Sequence, residues 1–129
     1  FNTEEKSRIQ TTTVDNSAAS TGYNPNQYAC ANTSDKVFLL SYAEATSATY
    51  GLNTTTARQL QPSAYAQSQG VYIIDPSIGN SYWWLRSPYY SYGIYGSLAR
   101  SVIGGGRVDG SSYVDSTHYG VVPALWISL

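Results

Sequence analysis

Charge and sulfur are scarce in this chain. Of its 129 residues, 12% are charged, and the formal net charge is −1. The seven basic residues, Lys6, Arg8, Lys36, Arg58, Arg86, Arg100 and Arg107, are dispersed. Nucleic-acid binding needs cations clustered against phosphates, so no nucleic-acid partner is expected. Methionine is absent and Cys30 is the single cysteine. That excludes an internal disulfide and any cysteine metal cluster, and Cys30 reads as a small packed loop residue. No apolar run approaches the roughly twenty residues needed to span a bilayer, so membrane insertion is not expected. The chain opens at Phe1 with neither a secretory signal nor an initiating Met. The expectation is a single domain excised or processed from something longer.

What is present is Tyr, Ser, Thr, Gly and Asn, a composition that suits an extracellular or virion-surface domain. Asn2, Glu4 and Glu5 read as a helix start with a capping box, and the helix is expected to end near Ile9. Thr11, Thr12, Thr13 and Val14 are all β-branched and read as a strand or extended segment. Residues 15–34 read as a long loop. Val37, Phe38, Leu39 and Leu40 form a candidate buried strand. Ser41 and Glu44 make a second capping box. Residues 62–70 read as a third helix, with Pro62 in its first turn and Gly70 just past its end. Residues 71–74 suggest a brief strand, and residues 75–80 a turn. Strands are then expected at residues 82–86 and at 98–103 and 107–109 around a Gly104-Gly105-Gly106 hairpin. A last strand is expected at residues 119–127, with Pro123 implying an edge or bulge. The sum is an α+β domain: short helices first, then a twisted antiparallel sheet with long loops.

Catalytic and metal chemistry finds little support. His118 is the only histidine, and no nucleophile-elbow pattern accompanies it, so it reads as an exposed loop residue. Asp109 and Asp115 lack the dense acidic surroundings of a calcium site. No cofactor and no catalytic residue are assigned. Trp83 and Trp84 are neighbours on a strand and face opposite ways, so at least one belongs to the core. Trp126, among aliphatic residues, is also expected there. Arg86 is expected to tie loop carbonyls together, since a half-buried guanidinium needs several acceptors.

The stretch from residue 89 to 119 is different. Tyr89, Tyr90, Tyr92, Tyr95, Tyr113 and Tyr119 are interleaved with Ser and Gly and show no packing period. Tyrosine supplies large contact area at low rotamer cost, and Ser and Gly supply adaptability, as on recognition surfaces. The alternative is a loop-rich β-domain that is merely rich in tyrosine. Ala99, Val102, Val108 and Val114 are expected to point inward and hold the sheet. The expected ligand-binding set is Tyr89, Tyr90, Ser91, Tyr92, Tyr95, Arg100, Arg107, Asp109, Ser111, Ser112, Tyr113, Asp115, Ser116, His118 and Tyr119.

Five ordered stretches carry a resemblance. They are Glu5-Lys6-Ser7-Arg8-Ile9-Gln10-Thr11-Thr12-Thr13-Val14; Phe38-Leu39-Leu40-Ser41-Tyr42-Ala43-Glu44-Ala45 with Pro62-Ser63-Ala64-Tyr65-Ala66; Trp83-Trp84-Leu85-Arg86-Ser87-Pro88; and Gly120-Val121-Val122-Pro123-Ala124-Leu125-Trp126-Ile127. Over nearly the whole chain they resemble a bacterial and phage domain family of unknown function with a C-type-lectin-like fold, akin to the formylglycine-generating-enzyme fold. This chain has Val122 where that family usually has Arg, and the family normally carries further strands upstream of the segment that begins at Phe1, so the resemblance implies a domain truncated at its N-terminus. The enzyme branch of the wider fold uses active-site cysteines, which the lone Cys30 does not match.

Other relatives are the variable proteins of diversity-generating retroelements, in which adenines of chosen codons are randomised. An Asn codon so treated yields Tyr, Ser, Gly or Asp, among others, but never Lys, Glu, Gln, Trp or Met. Residues 89–119 contain none of those five types, whereas residues 1–88 contain thirteen such residues. The resemblance implies a non-catalytic adhesin on a phage tail fibre or bacterial cell surface. It would bind a protein or glycan receptor through a diversified region at about residues 89–119. The alternatives are a fixed-specificity carbohydrate-binding module and an assembly domain of a larger fibre.

Overall fold

A computed structural model describes residues 1–90, 97–108 and 110–128. In chain order the elements are α1 (Thr3–Ser7), β1 (Ile9–Gln10), β2 (Thr12–Val14), β3 (Thr33–Asp35), β4 (Phe38–Leu39), α2 (Tyr42–Ala45), α3 (Ala64–Ser68), β5 (Trp83–Pro88), β6 (Leu98–Val102), β7 (Gly110–Tyr113), β8 (Pro123–Ala124) and β9 (Trp126–Ile127). Tight 3-10 turns at Ala18–Thr21 and Thr56–Arg58 interrupt the loops. This is a small mixed α/β protein of short helices and antiparallel sheets.

Local chemistry fixes where the helices begin. Asn2 Oδ1 accepts from Glu5 N–H at 2.8 Å, and the Glu5 carboxylate accepts from Asn2 N–H at 2.7 Å. Ser41 and Glu44 repeat that reciprocal cap at α2, at 3.2 and 2.7 Å. Ser63 caps α3 through Ala66 N–H. Pro62 therefore lies just outside that helix, while Gly70 closes it at φ +81°.

The sheets are small and tie distant parts of the chain together. β1 pairs with β9 and β4 with β8, so residues near both ends share two ladders. The largest sheet runs β5-β6-β7, antiparallel throughout, with a register shift between Trp84 and Pro88. Alternation along β5 buries Trp83, Leu85 and Ser87 and leaves Trp84, Arg86 and Pro88 partly exposed. The core joins Ala45, Trp83, Leu85 and Val102, with Leu40, Leu60, Val108 and Val122 packed against it. Trp83 Nε1–H donates to Arg58 O at 3.1 Å, so the ring buries no unmet donor.

Two arginines fasten the loops to this core. Arg58 is buried and donates to the carbonyls of Gly106 (2.6 Å), Leu52 (2.5 Å) and Ala45 (3.5 Å). Arg86 donates to Leu39 O (2.6 Å), Asp15 O (2.9 Å) and Asn16 Oδ1 (3.2 Å), as a carbonyl-tying guanidinium should. It also pairs with the Glu44 carboxylate. Burial by itself would raise the Glu44 pKa. The Arg86 and Ser41 hydrogen bonds and the Arg86 charge outweigh it and hold the carboxyl below its ordinary value.

Several expectations are corrected. Trp126 is 48% exposed, because β9 is paired on one side only and the ring meets Tyr50 edge-on at 5.9 Å instead of entering the core. Val114 is 62% exposed, since it lies in the turn after β7. Ala99 lies on the sheet face opposite Val102, as strand alternation requires, and is half-buried. Val37 is exposed, and the strand there shrinks to two half-buried residues. Residues 71–74 contribute only the single bridge Ile73–Ser81. The long loop ends early, at β3. The glycine hairpin spans more chain than expected: β6 is answered by residues 110–113, not by a strand at 107–109. The expected final strand breaks into β8, β9 and a bridge at Gly120. Cys30 is exposed.

Candidate functional site

Strand register decides where the predicted ligand-binding residues go. Trp83 pairs with Val102, and Arg100 pairs with Ser111, so Arg100 and Ser111 continue the core face of the sheet. Trp84 pairs with Ser101, and Ala99 with Ser112, so those residues form the opposite face. Five described members of the predicted set fall into two aromatic groups: Tyr89, Tyr90 and Arg100 in one, Ser112 and Tyr119 in the other.

The first group surrounds Arg100. Segment 17–28 docks beside the end of β5 through buried Asn26, whose Nδ2 donates to Pro88 O at 3.2 Å and Thr21 Oγ1 at 3.0 Å. Ser87 Oγ accepts from Tyr42 N–H at 2.8 Å and fixes the start of α2 against the same strand. Gly22 lies under the Tyr42 ring: a Cβ there would come within 2.3 Å of it, and the backbone φ is +74°. Tyr42 and Tyr89 then flank Arg100, with ring centroids 4.4 and 5.3 Å from the guanidinium carbon. Tyr90 stands beside Tyr23 at 5.0 Å and Tyr28 at 6.3 Å. Arg100 is only 8% exposed: it sits on the core face of the sheet, with Tyr42 of α2 and Tyr89 against it. Burial lowers its pKa, and the neighbouring Tyr42, Tyr89 and Tyr23 partly offset this.

The second group is built around Tyr119. Gly120 N–H donates to Tyr82 O (2.7 Å) and Gly120 O accepts from Trp84 N–H (3.0 Å), which docks the preceding residue on β5. His118 O accepts from Tyr72 N–H at 2.7 Å and brings that residue alongside. The Tyr119 ring lies 4.5 Å from Trp84 and 5.4 Å from Tyr82, and Tyr82 meets Tyr72 edge-on at 5.3 Å. The Tyr119 and Ser112 hydroxyls are 2.5 Å apart. Burial, with Tyr72 and Tyr119 beside it, raises the Tyr82 pKa.

The remaining predicted residues among those described belong to neither group. Tyr113 is 56% exposed; Ser111, Asp115, His118 and Arg107 are exposed and Ser116 is half-buried. His118 Nδ1 lies 3.4 Å from Gly70 O. Ser91, Tyr92, Tyr95 and Asp109 lie outside the described residues. Reasoning from sequence missed Tyr23, Tyr28, Tyr42, Tyr72, Tyr82 and Trp84 as partners in the two groups. Only the excess of tyrosine over the whole chain, thirteen residues, pointed beyond the stretch at 89–119.

Among the described residues no group of three or more His, Cys, Asp or Glu side chains could hold a metal, and no helix is long and apolar enough to cross a membrane. The chain matches the family described as Domain of unknown function (DUF6273) over residues 1–129, and it belongs to that family. No curated protein and no solved structure matches it.

Proposed function

We propose that this member of the DUF6273 family is a non-catalytic ligand-binding domain with a C-type-lectin-like fold. It would be carried on a phage tail fibre or a bacterial surface protein, outside the cell. It would meet a protein or glycan receptor through a diversified Tyr/Ser/Gly surface at residues 89–119. The observation that carries this reading is where the tyrosines go. The buried hydrophobic residues among those described are Val14, Ala45, Trp83, Leu85 and Val102, with no tyrosine among them. Tyr89, Tyr90, Tyr113 and Tyr119 instead take half-buried or exposed positions, which leaves ring surface for contact with a ligand. The first scaffold block behaves differently, since Trp83, Leu85 and Ser87 are buried; in the last block Val122 packs on the core while Val121, Trp126 and Ile127 are exposed.

Diversification has its own test. Deep sequencing of the coding locus across its source population should find substitutions concentrated at adenines in codons 89–119, with codons 83–88 and 120–127 constant. Substitutions spread evenly along the gene would contradict it.

A further inference from the structure

Three arginines of this chain are substantially buried, and two of them are satisfied by oxygen. Arg58 has three backbone carbonyls, and Arg86 has two carbonyls, an amide oxygen and the Glu44 carboxylate. Arg100, 8% exposed, has ring faces instead: Tyr42 at 4.4 Å and Tyr89 at 5.3 Å. Its Nε is fully buried with no hydrogen-bond partner, and no carboxylate pairs with it, among the described residues. A tyrosine face attracts the guanidinium charge but cannot accept its fork of N–H donors in the way an oxyanion does.

The rim around this cation is aromatic and uncharged. Tyr23 is 42% exposed, and Tyr28, Tyr89 and Tyr90 are half-buried. Tyr90 is tilted by 34° to Tyr23 and 46° to Tyr28, so the rings form a faceted wall rather than one plane. The planar fork of Arg matches a carboxylate. One cation in a neutral frame calls for one anionic group on an otherwise neutral body. Tyrosine faces suit the C–H faces of a sugar ring, while an acidic protein patch would present several charges and require more cations.

We propose that Arg100, flanked by Tyr42 and Tyr89, with Tyr23 close by and Tyr90 and Tyr28 continuing the aromatic wall from Tyr23, is a subsite for the carboxylate of an acidic sugar unit. This rests on the reading of residues 89–119 as a ligand-binding surface and names the chemistry that one part of it recognises.

The test titrates the intact chain with glucuronic acid, N-acetylneuraminic acid, the methyl ester of each, and N-acetylglutamate, read by NMR shift changes. At least one free acid should bind tenfold or more tightly than its ester and than N-acetylglutamate. Arg100→Lys, checked for an unchanged thermal transition, should erase that preference. Equal binding of acid and ester, or no binding of either acid, overturns the proposal. So does N-acetylglutamate binding as tightly as the sugars, since the subsite would then read acidic peptide. The comparison of acid with ester needs no substitution, so it decides the matter even if the Arg100 variant fails to fold. If acid and ester prove equal while removal of the loop tyrosines still abolishes receptor binding, the surface reading stands and the Arg100 subsite falls.

Discussion

Single side chains here do separable jobs, and two substitutions should expose the division. Tyr113 is 56% exposed, so truncating it removes little buried surface. Tyr113→Ala should therefore change unfolding free energy by no more than about 0.5 kcal/mol, while weakening receptor binding about tenfold or more if it is a contact residue. Denaturant titration beside a binding isotherm reads both. Glu44 has the opposite job. Its carboxyl accepts from Arg86 and Ser41 and is held below the ordinary carboxylate value of 4.5. A depressed folded-state pKa contributes stability that is present above about pH 4.5 and lost as pH falls through the folded value. Glu44→Gln should cost about 2 kcal/mol near neutrality and flatten the acid side of the stability profile. Part of that slope should persist, because Asp15 and Asp75 are also held low by hydrogen bonds from Ser17 and Ser77. A Glu44→Gln profile parallel to the parent from pH 7 down to pH 3 would show that the pair is not responsible.

Elements are short here, so their ends matter more than their middles. α2 has four residues, and its capping box is a large share of what defines it. Ser41→Ala should cost about 1 kcal/mol in thermal or denaturant unfolding. The loop after β6 depends on backbone fit: Gly106 sits at φ +82°, and a Cβ there would fall 1.8 Å from Thr55 O, against backbone that cannot swing aside. Gly106→Ala should cost about 3 kcal/mol or more, also loosening Arg58, which donates to Gly106 O. Unaltered stability would refute that account of the loop. At this scale the sequence was informative where the causes are local. Both capping boxes are read from residues three apart, and both are present. Strand lengths were not legible, because what ends β4 or splits β8 from β9 is a partner more than eighty residues away in the chain.

The whole molecule is organised by such distant pairings. β1 meets β9, β4 meets β8, and Asn26 reaches across 62 residues to Pro88. The inward and outward division along β5 follows from strand period and was readable. The companions of each tyrosine were not, because Tyr23, Tyr28 and Tyr42 come to Arg100 and the 89–90 pair only through this docking. The same limit explains Trp126: an aliphatic neighbourhood in sequence does not reveal that its strand has a ladder on one side only. The Arg100 environment shows it most clearly. Alternation alone places Arg100 with Val102 on the core face, yet the tyrosines that receive it belong to α2 and to the residue just after β5.

The central claim is that the tyrosines at residues 89–119 bind and the remainder holds them in place. The direct measurement is binding of the chain to a glycan array and to a panel of intact bacterial cells. It should be done before and after replacing Tyr89, Tyr90, Tyr92, Tyr95, Tyr113 and Tyr119 together by alanine, with circular dichroism confirming the fold. The account predicts binding to at least one glycan or cell surface by the unaltered chain, reduced by a hundredfold or more in the folded variant. Undiminished binding by that variant would contradict it.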